Sequence, residues 1–337
     1  MKKVLIIGAG AMGAAFTFPL ADNNHKVTLT EPYSKDLLNK LITKKKFHPA
    51  LKLKLSKKVS IKKFSSELLN EKWDLVIVAV SSIGIEMVRQ HLKNIKRKVS
   101  ILVLTKGLKY DRNNKKITTM SEQLNKGNQN LNISVLKGPC LAKELAKKIK
   151  SYTVIANKDI NIAKNIGKLI STKYYKTEYS TDVKGVEFSS AIKNIYSMII
   201  GSGEGENTAS ALFRKSLDEM EYLIKYFRGK KETVHGLAGV GDLYVSAVGG
   251  RNSKMGQYLG KGFTFKVAKN KFMKNDTVEG ADLAKEIAPY ILKKINRNKI
   301  PLMHALLSAI TKNKKLKCLV LMKSIKISIN GFLWRKN

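Results

Sequence analysis

The sequence contains few of the residues that build disulfide frameworks or zinc sites. Its 337 residues include only two cysteines, Cys140 and Cys318, and five histidines. Neither cysteine lies in a Cys-x-x-Cys pair, and the histidines are isolated from one another. Two cysteines exclude a multi-bridge secreted scaffold, and the missing ligand cluster predicts that no metal is bound. We therefore expect a protein of the reducing cytoplasm.

Long uncharged apolar runs are also missing. Lys323 and Lys326 interrupt the apolar C-terminal segment, so it is too short to span a bilayer. The first 21 residues resemble a secretory signal, but they contain three glycines at fixed offsets and continue directly into another strand-like segment. We therefore expect this segment to belong to the fold, and we expect no stable membrane insertion.

Acidic residues are scarce. The chain has 64 lysines and arginines against 25 aspartates and glutamates, a formal net charge of +39. Such an excess raises nucleic acid or an anionic membrane as a partner. The lysines are spread over the whole length, however, with clusters at 44–46, 115–116 and 312–317, and do not form one stripe. We therefore expect no nucleic-acid partner, and we keep a non-catalytic basic nucleotide- or RNA-binding protein as an alternative.

The length and the 43% hydrophobic content allow about two domains with real cores. In the first half, short apolar runs at 4–7, 27–29, 75–80, 100–104, 134–136 and 152–156 alternate with helix-like segments at 12–21, 83–92 and 141–149. This pattern is typical of a parallel sheet buried on both faces. After residue 182 the apolar residues follow helical spacing. The sequence predicts an α/β fold with an N-terminal doubly wound sheet over 1–180 and a mostly α-helical domain over 181–337.

A glycine-rich motif follows the first predicted strand. Gly8, Gly10 and Gly13 form a G-x-G-x-x-G pattern that leads into a helix, the context of a dinucleotide-binding, Rossmann-like domain. Glu31 follows the second strand, where a carboxylate accepts hydrogen bonds from the adenosine ribose and repels a 2′-phosphate. The sequence therefore predicts NAD(H) as cofactor, with NADP(H) as the alternative. An ordinary solvated acid at the end of a strand is the other interpretation of Glu31.

Seven sequence blocks resemble the NAD(P)-dependent glycerol-3-phosphate dehydrogenase family over about residues 3 to 310. They are Gly8 to Gly13, Thr105-Lys106-Gly107-Leu108, Gly138 to Glu144, Ala191-Ile192-Lys193-Asn194, Gly236 to Leu243, Arg251-Asn252 and Val278-Glu279-Gly280. The resemblance implies an oxidoreductase that interconverts dihydroxyacetone phosphate and sn-glycerol 3-phosphate. It also implies a role in glycerophospholipid synthesis and a homodimer. The expected partner is a small phosphorylated substrate.

The resemblance implies roles for individual residues in a dinucleotide-binding domain and a substrate-binding, catalytic domain. The catalytic residues would be Lys193, Lys106 and Asp242. The substrate would be bound by Lys106, Gly138, Lys193, Asn194, Asp242, Ser246, Arg251 and Asn252. The cofactor would be bound by Gly8, Gly10, Ala11, Met12, Gly13, Glu31, Lys106, Ala142, Arg251 and Glu279.

The implied roles agree with the chemistry of carbonyl reduction. Hydride delivery places negative charge on the carbonyl oxygen, which needs a cation and a proton source. Lys193 would supply both, Asp242 would orient it, and the guanidinium of Arg251 would match the phosphate oxygens. Asp242 as a helix N-cap and Arg251 as a surface residue are the other interpretations.

The nearest alternative enzyme is ketopantoate reductase, which also pairs a glycine-rich nucleotide domain with a helical domain that carries a catalytic lysine. That family explains Lys193 and the glycines. It does not explain the block from Gly236 to Leu243 or the pair Arg251-Asn252, and its preference for NADP disagrees with Glu31.

Overall fold

The computed structural model describes residues 1–316 except residues 94, 96, 97 and 129. These residues form two compact units. The first contains Met1–Lys106 and Thr119–Glu187, and the second contains Gly107–Thr118 and the chain from Phe188 onward. The predicted boundary between residues 180 and 181 stays a prediction, as do the roles assigned to the two domains. Cys318 and the C-terminal end of the chain lie outside the described residues.

Twelve strands occur in the described part of the chain. In chain order they are β1 (Lys3–Ile7), β2 (Lys26–Glu31), β3 (Phe47–His48), β4 (Leu53–Lys54), β5 (Val59–Lys63), β6 (Leu75–Val78), β7 (Val99–Val103), β8 (Leu108–Asp111), β9 (Lys116–Thr119), β10 (Leu131–Lys137), β11 (Ser151–Ala156) and β12 (Tyr175–Ser180). Eight of them form one sheet with the order β12-β11-β10-β7-β6-β1-β2-β5. Two small two-stranded sheets are made by β3 with β4 and by β8 with β9.

The helices of the same residues are α1 (Ala11–Asp22), α2 (Lys35–Thr43), α3 (Ser66–Asn70), α4 (Ile85–Leu92), α5 (Met120–Leu124), α6 (Ala142–Ala146), α7 (Ile160–Ile170), α8 (Val183–Gly201), α9 (Glu206–Tyr226), α10 (Asp242–Gly249), α11 (Arg251–Gly260), α12 (Phe265–Phe272), α13 (Glu279–Lys294) and α14 (Pro301–Thr311). Short 3-10 turns lie at Ser82–Gly84 and Lys231–His235, and a π turn lies at Leu237–Gly241. Within the described residues no helix is both long and apolar enough to cross a membrane.

The large sheet belongs to the first unit, and its neighbouring strands are parallel except for β10 and β11. The side chains of β1 from Val4 to Ile7 are fully buried, as expected of a central strand covered on both faces. Ile7 is paired with Thr30 of β2 and with Val78 of β6, so these three strands end at the same edge of the sheet. Loops that begin with Gly8 and Ala79, and the last residue of β2, Glu31, therefore share that edge.

The predicted fold class is confirmed by the Rossmann-like sheet and the helical second unit. Of the eight strands of the large sheet, the apolar runs predicted β1, β2, β6, β7, β10 and β11, but not β5 and β12; they also did not predict the short strands of the two small sheets. The two missed strands of the large sheet are its edges, and they are polar, with the sequences VSIKK and YKTEYS. Edge strands are half exposed and carry charged residues that prevent further pairing, so they do not form apolar runs.

The second unit is organised around α8, whose residues from Phe188 to Ile200 are all buried. Its apolar side chains share one core with those of the other helices of this unit, and that core includes the aromatic residues Phe188, Tyr196 and Phe265. Glycines let two of these helices approach closely. A Cβ atom on Gly256 of α11 would overlap the carbonyl oxygen of Met198, and one on Gly280 of α13 would overlap that of Asn194. Helix α8 thus packs closely, backbone to backbone, against α11 and α13 at these two positions.

Candidate active site

The glycine-rich loop at the end of β1 requires two of its three glycines for steric reasons. Gly8 has φ +106°, a conformation that favours glycine, and a Cβ atom there would lie 2.7 Å from the carbonyl oxygen of Ala79. A Cβ atom on Gly13 would overlap the carbonyl oxygen of Gly8. The tight turn and the close packing of α1 on the strand therefore both depend on these residues.

Gly10 differs because it faces open space. It is exposed and precedes the first residue of α1, and outside Ala9, Gly10 and Ala11 no heavy atom of the described residues lies within 4 Å of the position of its Cβ atom. Ala11 and Met12, both half-buried, form the first turn of this twelve-residue helix. Backbone N–H groups at a helix N-terminus attract an anion. The loop therefore leaves the kind of space that a dinucleotide pyrophosphate fills.

Glu31, the last residue of β2, is bonded to this loop. Its Oε2 accepts a hydrogen bond from the Ala9 N–H at 2.7 Å. Its Oε1 accepts from the N–H groups of Tyr33 at 2.9 Å and Ser34 at 3.2 Å. A carboxylate has about four lone-pair sites, so these three bonds leave capacity for a ribose hydroxyl. Glu31 is thus more than a solvated strand-end acid.

Two lysines link the neighbouring strands β7 and β10 at their ends and in the loops that follow. The Nζ atom of Lys106, a half-buried residue, donates to the carbonyl oxygen of Gly138 at 3.3 Å. Lys137, which is buried, donates to the carbonyl oxygens of Val103 at 3.1 Å and Thr105 at 2.7 Å. Lys137 could not be singled out from the sequence because lysine is common throughout this chain. Gly138 has φ +121°.

Ala142, another predicted cofactor residue, begins α6. It is half-buried and packs against the core of the first unit. All of the residues predicted to bind the cofactor lie in the first unit except Arg251 and Glu279.

In the second unit, Lys193 of α8 forms a buried ion pair. Its Nζ atom lies 2.9 Å from Oδ1 of Asp242, and the two side chains are 7% and 4% exposed. Lys193 also donates a hydrogen bond to Oγ of Ser246, one turn further along α10. Asp242 is the first residue of α10 and not its N-cap, which is Gly241. The predicted catalytic lysine, its carboxylate and the predicted substrate hydroxyl are therefore brought together.

Ser190, which was not predicted from the sequence, also belongs to this group. Its Oγ donates to Oδ2 of Asp242 at 3.3 Å, and its side chain is fully buried. Ser190 precedes Lys193 by three residues, and this spacing places both side chains on one face of a helix. That spacing is the signal that could have identified it.

The amide groups of Asn194 and Asn252 are linked beside Lys193. Asn252 of α11 donates from Nδ2 to Oδ1 of Asn194 at 3.0 Å, and its own Oδ1 accepts from the Gly280 N–H at 2.9 Å. Because the oxygen of Asn194 is the acceptor in this pair, its NH₂ group is turned away from Asn252. Asn194 thus presents a donor elsewhere, as predicted for a substrate-binding amide.

Arg251 and Glu279 begin α11 and α13. The Nη2 atom of Arg251 lies 3.7 Å from Oε1 of Glu279, and both side chains are more than half exposed. An exposed ion pair of this kind contributes little to stability. The guanidinium can therefore leave Glu279 and bind an anion with little loss of free energy.

Comparisons with known proteins show which family this chain belongs to. The family model described as "NAD-dependent glycerol-3-phosphate dehydrogenase N-terminus" matches residues 3–163. The family model described as "NAD-dependent glycerol-3-phosphate dehydrogenase C-terminus" matches residues 182–321. The chain belongs to the NAD-dependent glycerol-3-phosphate dehydrogenase family. The predicted family and the prediction of a nicotinamide-dependent oxidoreductase are therefore confirmed.

Two relatives support this assignment over most of their length. An NADP(+)-dependent glycerol-3-phosphate dehydrogenase from Archaeoglobus fulgidus is 31% identical over 87% of this chain and 90% of its own. A glycerol-3-phosphate dehydrogenase [NAD(P)+] from Bacillus velezensis is 30% identical over 95% and 93%. This family membership supports the predicted enzyme over the two alternatives, ketopantoate reductase and a non-catalytic basic protein.

Solved structures agree on the fold. The crystal structure of glycerol-3-phosphate dehydrogenase from Coxiella burnetii has a TM-score of 0.82 at 23% identity and covers 97% of this chain and 98% of its own. A ketopantoate reductase from Ralstonia eutropha has a TM-score of 0.55 at 14% identity. The two enzymes share the general fold with this chain, and the first matches it more closely.

Proposed function

We propose that this enzyme interconverts dihydroxyacetone phosphate and sn-glycerol 3-phosphate with NAD(H), and that Lys193 carries the proton. The observation that carries the proposal is the buried ion pair of Lys193 with Asp242, beside the hydroxyl of Ser246. A buried lysine with a carboxylate partner is a charged group held in one place, as carbonyl reduction requires.

In the reducing direction, NADH held by the glycine-rich loop and Glu31 would supply the hydride. The ammonium of Lys193 polarises the substrate carbonyl by donating a hydrogen bond to its oxygen. As the carbon–hydrogen bond forms, the electron pair of the C=O bond moves to that oxygen, which takes a proton from Nζ. Lys193 is left as a neutral amine and regains its proton from solvent. In the oxidising direction the neutral amine removes the proton from the alcohol.

The neighbours of Lys193 have supporting roles in this proposal. Asp242 stabilises the ammonium, and Ser246 fixes the direction of Nζ. Asn194 donates to a substrate oxygen, because its orientation is fixed by Asn252. Arg251 binds the substrate phosphate through its planar set of donors. Lys106 and Gly138 of the first unit would contact the bound molecules by the same family resemblance, and Glu279 would lie near the nicotinamide.

The residues of the glycine-rich loop fit a dinucleotide. Gly10 leaves room for its pyrophosphate, while Gly8 and Gly13 allow the tight turn and the close packing of α1. Ala11 and Met12 lie at the helix N-terminus, and Ala142 lies in the same unit. The carboxylate of Glu31 would bind the adenosine ribose and repel a 2′-phosphate, which favours NAD(H). NADP(H) stays the alternative, since the relative from Archaeoglobus fulgidus is NADP(+)-dependent by name.

The proposed setting of the enzyme follows from the family resemblance. We propose a homodimer in the cytoplasm whose product feeds glycerophospholipid synthesis. Sedimentation equilibrium of the purified protein tests the homodimer, because a mass of one chain at all concentrations would contradict it.

The central experiment follows NADH oxidation by absorbance with dihydroxyacetone phosphate as substrate. Lys193→Ala should abolish turnover, whereas Lys184→Ala should preserve it. Lys184 is a matched control, since it lies on the same helix and makes a partly exposed ion pair with Glu122 at 3.1 Å. Ketopantoate and NADPH serve as the control substrate and control cofactor. Turnover of ketopantoate alone, or full activity of Lys193→Ala, would overturn the proposal.

A further inference from the structure

Both peptide groups that flank Ala9 in the glycine-rich loop are held by side chains from other elements. The Ala9 N–H donates to Oε2 of Glu31 at 2.7 Å. The Ala9 carbonyl oxygen lies 2.9 Å from Nε2 of His48. Glu31 is a predicted cofactor residue, but His48 has no role in the proposed function. It is nevertheless bonded to the residue at the centre of the motif.

The surroundings of His48 fix which ring nitrogen carries the proton. The Leu51 N–H donates to Nδ1 at 3.2 Å, so Nδ1 has no proton. Nε2 must therefore carry the proton and donate it to the carbonyl oxygen of Ala9. The imidazole is buried, with 1% of its surface exposed. Leu51 and Leu55 anchor the same chain segment in the core of the first unit.

The hydrogen bond from His48 determines the direction of a neighbouring N–H group. The carbonyl of Ala9 and the N–H of Gly10 belong to one peptide group, which is trans, as are the other peptide bonds of the described residues. In a planar trans peptide the C=O and N–H bonds point in opposite directions. When the carbonyl points to His48, the N–H of Gly10 therefore points away from it.

Without this bond the peptide group between Ala9 and Gly10 is free to rotate at small cost. Gly10 is exposed, has no Cβ atom and has open space around it among the described residues. A rotated peptide would present a carbonyl oxygen, in place of an N–H group, to an anion at the N-terminus of α1. Such a change would weaken the binding of a pyrophosphate.

We propose that His48 is a positioning residue of the dinucleotide site and that it orients the peptide group between Ala9 and Gly10 toward the pyrophosphate. The inference rests on the proposed function, because it assumes that a dinucleotide binds this loop. It assigns to a short ribbon, β3 with β4, a role in cofactor affinity that the sequence motif does not contain.

Three substitutions separate the two hydrogen bonds of His48. Glutamine places its NH₂ group near the position of Nε2 and keeps the donor to Ala9. Asparagine places its oxygen near Nδ1 and keeps the acceptor for Leu51. Leucine keeps neither. The dissociation constants of NADH and of ADP-ribose are measured by fluorescence or calorimetry, together with kcat at saturating NADH.

We expect the dissociation constants of both ligands to rise about 5- to 10-fold in His48→Leu and His48→Asn, which corresponds to the free energy of one lost hydrogen bond. In His48→Gln, which keeps that bond, they should rise less than about 2-fold. The kcat at saturating NADH and the KM for dihydroxyacetone phosphate should not change. If His48 had only a structural role, the substitutions would lower the thermal unfolding midpoint, but the affinities of His48→Leu and His48→Asn would not fall below that of His48→Gln. If His48→Leu does not fold, the comparison of His48→Gln with His48→Asn still tests whether the hydrogen bond to Ala9 sets the affinity for the two ligands.

His25 provides a matched control, since it makes the same two kinds of bond elsewhere in the first unit. Its Nδ1 accepts from the Lys2 N–H at 3.3 Å, and its Nε2 lies 3.0 Å from the carbonyl oxygen of Leu169. His25→Leu should leave both affinities unchanged. Equal losses in His25→Leu, or unchanged affinities in His48→Leu, would overturn the inference. A wild-type protein that binds neither ligand would overturn the proposed function, and the inference with it.

Discussion

Lys193 and Asp242 lie 49 positions apart in the sequence, yet their side chains form one buried ion pair with an Nζ to Oδ1 distance of 2.9 Å. Taking two charges out of water is costly, and removing one partner leaves the other charge uncompensated. The pair is therefore poor evidence for stability and better evidence for a functional site.

We predict that Asp242→Asn lowers kcat by about 100-fold or more, because the ammonium of Lys193 loses its counter-charge and its orientation. The same substitution should lower the free energy of unfolding by about 3 kcal/mol. Steady-state kinetics and urea unfolding measure the two effects. Asp218→Asn is the control, since Asp218 forms its ion pair with Arg214 at the surface of the same unit. Equal effects of the two substitutions would contradict the prediction.

We predict that Ser246→Ala lowers kcat about 10-fold, because a hydrogen bond to a charged group is lost. Ser246→Thr should retain activity within about 2-fold, because a threonine hydroxyl can accept the same bond from Lys193. The measurement is kcat with saturating substrates for both variants. Full activity of Ser246→Ala would show that the contact does not orient Nζ.

The sequence predicted the central strands because their burial on both faces requires continuous apolar residues. It did not predict β5 and β12, since edge strands of a sheet have polar sequences. The glycine-rich loop could be predicted because its conformation depends on local sterics, as the positive φ of Gly8 illustrates.

Contacts between distant residues could not be predicted in this way. The association of Lys193 with Asp242 was implied by the family resemblance and by no spacing in this chain. Lys137 was hidden among many lysines, although it is buried and bonded to Val103 and Thr105. His48 was missed because an isolated histidine has no motif, and its partner Ala9 lies 39 positions away.

We predict that Gly280→Ala disturbs the packing of α13 on α8. The Cβ atom of the new alanine would overlap the carbonyl oxygen of Asn194. This oxygen belongs to the backbone of α8, so it can move only if the helix moves. Overpacking of this kind costs about 1 to 3 kcal/mol. The KM for dihydroxyacetone phosphate should also rise, because the bond from the Gly280 N–H to Asn252 is displaced. Gly205→Ala is the control, since its Cβ atom would have no described neighbour within 4 Å; comparable losses in both variants would count against the argument.

We predict that Glu31→Gln raises the ratio of kcat/KM for NADPH to that for NADH by about 10-fold, because a charge that repels the 2′-phosphate is removed. The amide oxygen of glutamine can still accept from the Ala9 N–H, whereas its NH₂ group cannot accept the bonds from Tyr33 and Ser34. A loss of affinity common to both cofactors cancels in the ratio. Glu31→Arg cannot accept that bond and should weaken both cofactors. Kinetics with each cofactor measure the ratio, and an unchanged ratio in Glu31→Gln would remove the assignment of Glu31 as the selectivity residue.

Glu219 of α9 predicts a pH dependence of stability. Its carboxyl group accepts hydrogen bonds from the N–H groups of Leu302 at 2.7 Å and Met303 at 3.0 Å, and from the hydroxyl of Tyr196 at 3.1 Å. Burial nevertheless dominates these three donors and raises the pKa of Glu219 from its ordinary value of 4.5 to about 7. Between these two values the folded state binds more protons at this site than the unfolded state does. The contribution of Glu219 to the free energy of unfolding is therefore greatest below pH 4.5 and falls as the pH rises to about 7.

Glu219→Gln removes this titration, since an amide stays neutral at every pH. Urea unfolding of both proteins between pH 5 and pH 8 should show the wild type losing stability relative to Glu219→Gln as the pH rises, and the loss should end above about pH 7. Because the other acids titrate alike in both proteins, they cancel in this difference. Glu221→Gln is the control, since Glu221 lies on the same helix but is partly exposed and bonded to His235. A constant difference across this pH range would mean that the three hydrogen bonds, and not burial, decide the charge of Glu219.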